Sequence, residues 1–173
     1  ECRWLNAEPG DARLLELTSN PALTNLTLTK LLWVRNHEPE GWARGLEKRG
    51  AGDYEVVVAS TMGKAVRRAV EALRATGRPV GLLVWRGAHS WVLPGFRATR
   101  DPMYFDDYEI TGLWVSDPWY PRVSSIWGAS RKPNQRITVK QLREDYLKWR
   151  RPTGRYPGKD GKWVMVLPVA ASD

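Results

Sequence analysis

Cysteine is nearly absent from this chain of 173 residues: Cys2 stands alone. A single cysteine excludes an intrachain disulfide. With only two histidines, His37 and His89, both far from it in sequence, no zinc-ligand spacing exists either. Long apolar runs are missing too, and nothing approaches the roughly 18–20 consecutive apolar residues that cross a bilayer as a helix. Asp101, Asp106, Asp107 and Glu109 share one stretch. Without the Asp-x-Asp-x-Asp-Gly order of a calcium loop they read as a solvated acidic loop. There is no Gly-x-Ser-x-Gly for a serine hydrolase, and Gly63-Lys64 lacks the upstream glycine of a phosphate loop. With no internal repeat and no linker-like stretch, one domain over 1–173 is expected, holding no metal and no cofactor. The first residue is Glu1, not Met. That fits a processed or cut chain and leaves the compartment and a lost signal peptide open.

Tryptophan, by contrast, is plentiful, with ten in the chain. Five of them, Trp85, Trp91, Trp114, Trp119 and Trp127, fall within one stretch. Trp needs apolar packing together with a partner for its N–H. The cluster therefore reads either as a packed sheet face or as an apolar cleft, and in a cleft Trp91, Trp119 and Trp85 are the candidate substrate-binding residues. Hydrophobic residues at 42% and charged residues at 27% describe a globular chain. The net charge of +8 is unevenly spread. Residues 1–117 balance, with 15 basic and 15 acidic side chains, whereas 118–162 hold 12 basic against 3 acidic.

Taken in order, residues 1–35 are poorly defined: a short helix capped by Asp11, then a stretch around 26–32 that suits a strand or a helix face. His37 falls in a loop. A helix is expected over about 40–49, with Trp42 and Leu46 on one face and Gly50 and Gly52 ending it. Glu55 to Ala59 reads as a buried strand. Ser60 or Thr61 then caps a helix over 61–76, whose apolar stripe is Met62, Ala65, Val66, Ala69, Val70 and Leu73. Strands follow over about 80–86, 89–96 and 110–117. Pro118 to Pro133 is irregular. Thr138 with Gln141 forms a capping box, worth about 1 kcal/mol, for a helix over 138–150 that turns Val139, Leu142, Tyr146 and Trp149 inward. A last strand covers 163–169. The fold class is α+β, a central antiparallel sheet packed against helices.

The three central strands carry the chemistry. Arg86-Gly87 suits a two-residue hairpin loop, and symmetric pairing then sets Val84 opposite His89 and Leu82 opposite Trp91. A second hairpin in simple register sets His89 opposite Asp117, Trp91 opposite Val115 and Leu93 opposite Leu113. Opposed side chains lie roughly 4.5–5.5 Å apart at Cβ, close enough for a carboxylate to accept a hydrogen bond from an imidazole. Such a carboxylate fixes the ring's tautomer and stabilises its protonated form. A turn-forming Asp before Pro and a structural His are the other reading of the same pair, and a one-residue slip would separate them.

Residues 77–93, Gly-Arg-Pro-Val-Gly-Leu-Leu-Val-Trp-x-Gly-x-His-Ser-Trp-Val-Leu, with a later strand ending in Asp117-Pro118-Trp119, resemble the papain-like cysteine peptidases. The branch most similar is the bacteriocin-processing one, which cleaves leader peptides. The Glu40-Gly41-Trp42 helix, the 61–76 helix and Trp119-Tyr120-Pro121-Arg122 resemble a bacterial group of such domains. The likeness covers roughly 38–168. It implies a papain-like fold, His89 as general base, Asp117 as its orienting partner and a Cys nucleophile at the start of an N-terminal helix, where the helix end and the imidazolium favour the thiolate. Cys2 departs from that pattern. It precedes Arg3-Trp4-Leu5-Asn6 rather than small residues, no Gln for an oxyanion hole lies upstream, and Pro9-Gly10 follows soon after. Three readings stay open: a nucleophile lost with a cut segment, Cys2 as the nucleophile, or a non-catalytic relative.

Two functions follow. One is thiol hydrolysis of a peptide or amide bond in a peptide or protein substrate. The other is a binding module, in which the basic 118–162 region, interleaved with Trp119, Tyr120, Trp127, Tyr146, Trp149 and Tyr156, holds an acidic peptide or single-stranded nucleic acid.

Overall fold

Five consecutive residues, Val80–Val84, are buried without a break, which a strand tolerates only when both faces of its sheet are covered. The computed structural model describes residues 39–150 and 156–170, all within the compact unit Arg35–Asp173. Cys2, His37 and the expectations for 1–35 lie outside the described residues.

The elements run α1 (Pro39–Glu47), β1 (Tyr54–Ala59), α2 (Met62–Thr76), β2 (Val80–Val84), a 3-10 turn (Trp85–Gly87), β3 (His89–Ala98), β4 (Ile110–Ser116), β5 (Val123–Ser124), β6 (Gly128–Ala129), β7 (Gln135–Ile137), α3 (Val139–Asp145) and β8 (Trp163–Pro168). Among the described residues six strands form one antiparallel sheet in the order β1-β8-β2-β3-β4-β7, and β5 pairs with β6 alone. The fold is α+β, as composition and periodicity predict.

The two faces divide by strand parity. Val80, Leu82 and Val84 of β2 join Met165 and Leu167 of β8, the α2 stripe, and Leu142 and Tyr146 in the larger core. Leu83, Val164 and Val166 point the other way, into a smaller core with Trp42, Tyr54 and Trp149. Each fully buried Leu or Val contributes roughly 1.5–3 kcal/mol, so β2 and β8 tie both layers together. Gly81 is where the layers come closest. A Cβ there would lie 2.4 Å from the Trp42 ring, so only glycine lets the indole reach the strand.

The caps behave as the sequence predicts. Thr61 accepts from the Lys64 N–H, and Gly77 closes α2 in the left-handed conformation with its N–H on the Leu73 carbonyl. Thr138 and Gln141 form the full capping box of α3. Its other end differs: α3 stops at Asp145 rather than reaching residue 150. The cause is Trp149, whose N–H goes to the Lys162 carbonyl and whose own carbonyl accepts from Gly161. That extended pairing carries Trp149 into the smaller core, on the sheet face away from Leu142 and Tyr146. One helical stripe cannot serve two faces.

Pairings within the β2–β3 hairpin are as predicted, Val84 with His89 and Leu82 with Trp91. β2 nevertheless ends at Val84, short of Arg86, and its connection is a turn with positive φ at Trp85 (53°), Arg86 (61°) and Gly87 (82°). The β3–β4 register departs from the simple one. Val92 pairs with Ser116, Gly95 with Trp114 and Phe96 with Leu113, with an irregularity between Val92 and Gly95. Pro94 sits there and has no N–H for the ladder, which suits an extra residue on β3. Trp91–Val115 and Leu93–Leu113 are thus not partners. β7 forms inside a stretch that pattern alone left unassigned. No helix among the described residues is long and apolar enough to cross a membrane.

Candidate active site

His89 opens β3 and Asp117 stands one residue past the end of β4. Continuing the Val92–Ser116 pairing by one step brings Asp117 level with Trp91, not with His89. The expectation of direct opposition is therefore off by two residues. Two is an even number, so both side chains keep to one face and meet on a diagonal. The His89 Nε2 lies 2.6 Å from Asp117 Oδ1, with the Asp side chain 0% and the His side chain 12% exposed. Asp117 Oδ1 also accepts from the Trp119 N–H at 2.8 Å, and the Asp117 carbonyl accepts from Tyr120 N–H at 3.2 Å. The carboxylate thus shapes its own turn, as an Asp before Pro does. Its Oδ2 is buried with no hydrogen-bond partner among the described residues.

Because a carboxylate can only accept, the neutral imidazole facing it carries its proton on Nε2 and presents Nδ1 as the basic nitrogen. Any group that is to lose a proton to His89 must come to Nδ1.

Aromatic rings surround the imidazole. Trp85 stacks on it with centroids 4.4 Å apart and planes 25° from parallel. Trp119 lies tilted at 6.0 Å and meets the Trp85 edge at 5.8 Å. Trp127, from β5–β6, stacks on Trp85 at 5.9 Å. Of the three tryptophans singled out for substrate binding, Trp85 and Trp119 touch His89. Trp91 is 1% exposed in the larger core, beneath the Arg131 guanidinium at 5.8 Å.

Pattern reasoning missed Asp145 and Arg131. Asp145, nearly buried at the last residue of α3, accepts from Trp85 Nε1 at 2.9 Å. Its second oxygen accepts from Arg131 Nη2 at 2.8 Å, and Glu144 stands 3.7 Å from the same nitrogen. A signal existed. An acid in the last helical turn opposes the helix dipole, and in a region with only 3 acids against 12 bases such a residue asks for a specific partner.

The other site expectations sort as follows. The acidic loop is tied down by cations: Arg74 holds Asp101 bidentately and Arg100 holds Asp107. Arg74 keeps the Asp101 carboxyl below its usual range. Among the described residues no three His, Cys, Asp or Glu side chains form a metal-binding group. Of the aromatics within the basic stretch, Tyr146 and Trp149 are each 1% exposed, whereas Tyr120 is exposed beside the site.

No protein-family model matches the chain, and no solved structure matches it. A xylulose kinase of Lactococcus lactis subsp. lactis (strain IL1403) is 56% identical over 44 residues, 25% of this chain and 9% of the kinase. The chain thus spans less than a tenth of that protein, and the likeness shows neither a family nor an activity.

Proposed function

We propose that the protein is a thiol hydrolase of the papain-like kind, cleaving a peptide or amide bond with His89 as general base and Asp117 as its orienting partner. The observation that carries the reading is the 2.6 Å contact between a fully buried carboxylate and a nearly buried imidazole. In the reaction a cysteine thiol approaches Nδ1 and gives up its proton as sulfur adds to the substrate carbonyl. His89 returns that proton to the leaving amine as the C–N bond breaks, leaving a thioester. Water then attacks the thioester, again through His89, releasing the acid and the free thiol. Asp117 keeps Nε2 protonated throughout and stabilises the imidazolium when it forms. Cys2, the sole cysteine of the sequence, is the nucleophile to be tested.

The test is the pH profile of iodoacetamide alkylation of the wild-type chain and of His89→Ala. An isolated thiol titrates near pH ~8.5. A thiol paired with His89 is expected to react well below neutral pH, and His89→Ala is expected to return it to the isolated profile. Two coincident, unshifted profiles would remove Cys2 from the site and leave a nucleophile upstream of this sequence or a non-catalytic relative, which the upstream coding sequence separates.

A binding module for acidic peptides or single-stranded nucleic acid has less to stand on. Stacking needs exposed rings, and Tyr146 and Trp149 are committed to the cores.

A further inference from the structure

We propose that Trp85, anchored by Asp145 and Arg131, is a positioning residue that sets the plane of the His89 ring; this rests on the reading of His89 as the base. The turn that carries Trp85 is the first observation. Trp85 and Arg86 both adopt positive φ, 53° and 61°, a conformation costly for a side-chain-bearing residue and kept only where the surroundings impose it. A two-residue hairpin loop accounts for the positive φ at Arg86 and Gly87, but not for that at Trp85, which precedes the loop.

Several contacts impose it. The Ala88 N–H donates to the Trp85 carbonyl at 3.1 Å and the Arg150 N–H to the Arg86 carbonyl at 3.2 Å. Gly87 lies flat against Trp149, so close that a Cβ would stand 2.3 Å from the ring. What the strained turn achieves is the placement of one indole. Its face lies 4.4 Å from the His89 ring and its N–H reaches Asp145 at 2.9 Å.

Asp145 is itself held. It is nearly buried, it opposes the α3 dipole, and Arg131 neutralises it at 2.8 Å. The chain of contacts therefore runs Arg131, Asp145, Trp85, His89. Asp117 alone does not fix an imidazole, because one hydrogen bond leaves the ring free to rock about its Cβ–Cγ bond. The stack restrains that rocking, and Asp117 chooses which nitrogen faces inward. Together they hold Nδ1 in one direction.

Nuclear magnetic resonance of ring-labelled histidine tests this without a substrate. The chain has two histidines, so two ring systems appear and His89→Ala identifies the one of interest. In the wild type we expect separate nitrogen shifts for protonated Nε2 and bare Nδ1, with a slowly exchanging Nε2 proton. In Trp85→Leu, and in Asp145→Ala, we expect that proton signal to be lost and the two nitrogen shifts to converge on the average of a free imidazole. Trp85→Phe, which keeps an aromatic face, is expected to restore the separation. A folded Trp85→Leu with unchanged spectra would overturn the proposal, as would equal loss in Trp85→Phe and Trp85→Leu. Should Trp85→Leu fail to fold, Asp145→Ala decides by the same signals. Alkylation profiles in the same variants keep the two readings apart. The expected spectra with no thiol shift in the wild type leave the positioning role standing and remove Cys2 as the nucleophile, whereas unchanged spectra with an intact shift remove the positioning role alone.

Discussion

A carboxylate shut away from water costs several kcal/mol unless its partners repay the lost hydration. Asp117 has two such partners on one oxygen, the His89 ring and the Trp119 N–H. Asp117→Asn tests what the charge itself does. It keeps an acceptor for Trp119, so the turn is expected to survive with little change in thermal stability. With its oxygen held by the Trp119 N–H, the amide still faces Nε2 but, being neutral, no longer stabilises the imidazolium as it forms. Thiol-dependent turnover is therefore expected to fall roughly 10²–10⁴-fold, measured as initial rate beside a melting curve. A melting temperature that collapses along with the rate would mean a structural carboxylate rather than an orienting one. Much of this pair was legible in the sequence, though by a forgiving route. The expected register was wrong by two residues, and the period of two in a strand kept the prediction on the correct face. A slip of one would have lost it.

At the scale of elements, helices were legible where their stop signals were local. Thr61, Gly77 and Thr138 act within a turn of their own position, so α2 at both ends and the start of α3 follow from short spacings. The end of α3 is set by pairing between Trp149 and Lys162, which no local pattern contains. The β3–β4 register was hidden for the same reason, since a long loop and Pro94 separate its two sides. Gly81 gives a sharp test of packing between elements. Gly81→Ala drives a methyl into the Trp42 ring, and equilibrium urea unfolding is expected to show a loss of about 1–3 kcal/mol. Unchanged stability would mean that α1 is free to move off the sheet. The acidic loop offers a pH-resolved test. Its Tyr108 donates to Glu71 on α2 at 3.0 Å, and burial, followed by that hydrogen bond, pushes the phenol up to about 12. Since the ordinary phenol ionises near ~10, the unfolded chain loses its proton first as pH rises. The Tyr108 contribution is therefore complete below pH ~10 and fades towards pH 12. Tyr108→Phe is expected to cost about 0.5–1.5 kcal/mol near neutral pH and to unfold with a shallower decline in that alkaline window. Parallel declines would detach the loop from α2.

At the scale of the whole molecule, the excess of positive charge begins one residue past Asp117, and the same basic stretch supplies Trp119, Trp127, Arg131 and Asp145 around the candidate site. Twelve bases and three acids occupy 118–162, yet not all of that charge is available. Arg131 is committed to Asp145, Lys159 pairs with Glu40, and Arg136 lies over Trp114. Arg122 is exposed on the chain between Trp119 and Trp127, close to Tyr120, Val123 and the 80%-exposed Ile126. Surface charge of this kind acts through water over a Debye length of about 10 Å at 0.1 M salt, so it steers and selects ligands more than it stabilises the fold. Two uses of it predict different salt responses. If it serves the site, peptides flanked by acidic residues should bind more tightly than neutral ones, and raising salt from about 50 to about 200 mM should remove most of that advantage while leaving the neutral peptide nearly unchanged. If it serves nucleic acid, single-stranded DNA should bind at low salt, with log K falling by about 0.7 per log unit of salt for each phosphate contacted. Fluorescence anisotropy with the two peptides and one oligonucleotide separates the cases, and we expect the acidic peptide alone to show a salt-sensitive gain. Arg122→Glu should reverse that gain without altering the alkylation profile, because the substitution changes the approach to the site and leaves His89, Asp117 and Trp85 in place. Tight oligonucleotide binding that Arg122→Glu abolishes would instead assign the charge to nucleic acid and leave the His89–Asp117 pair to be explained by the stability of the β4 turn.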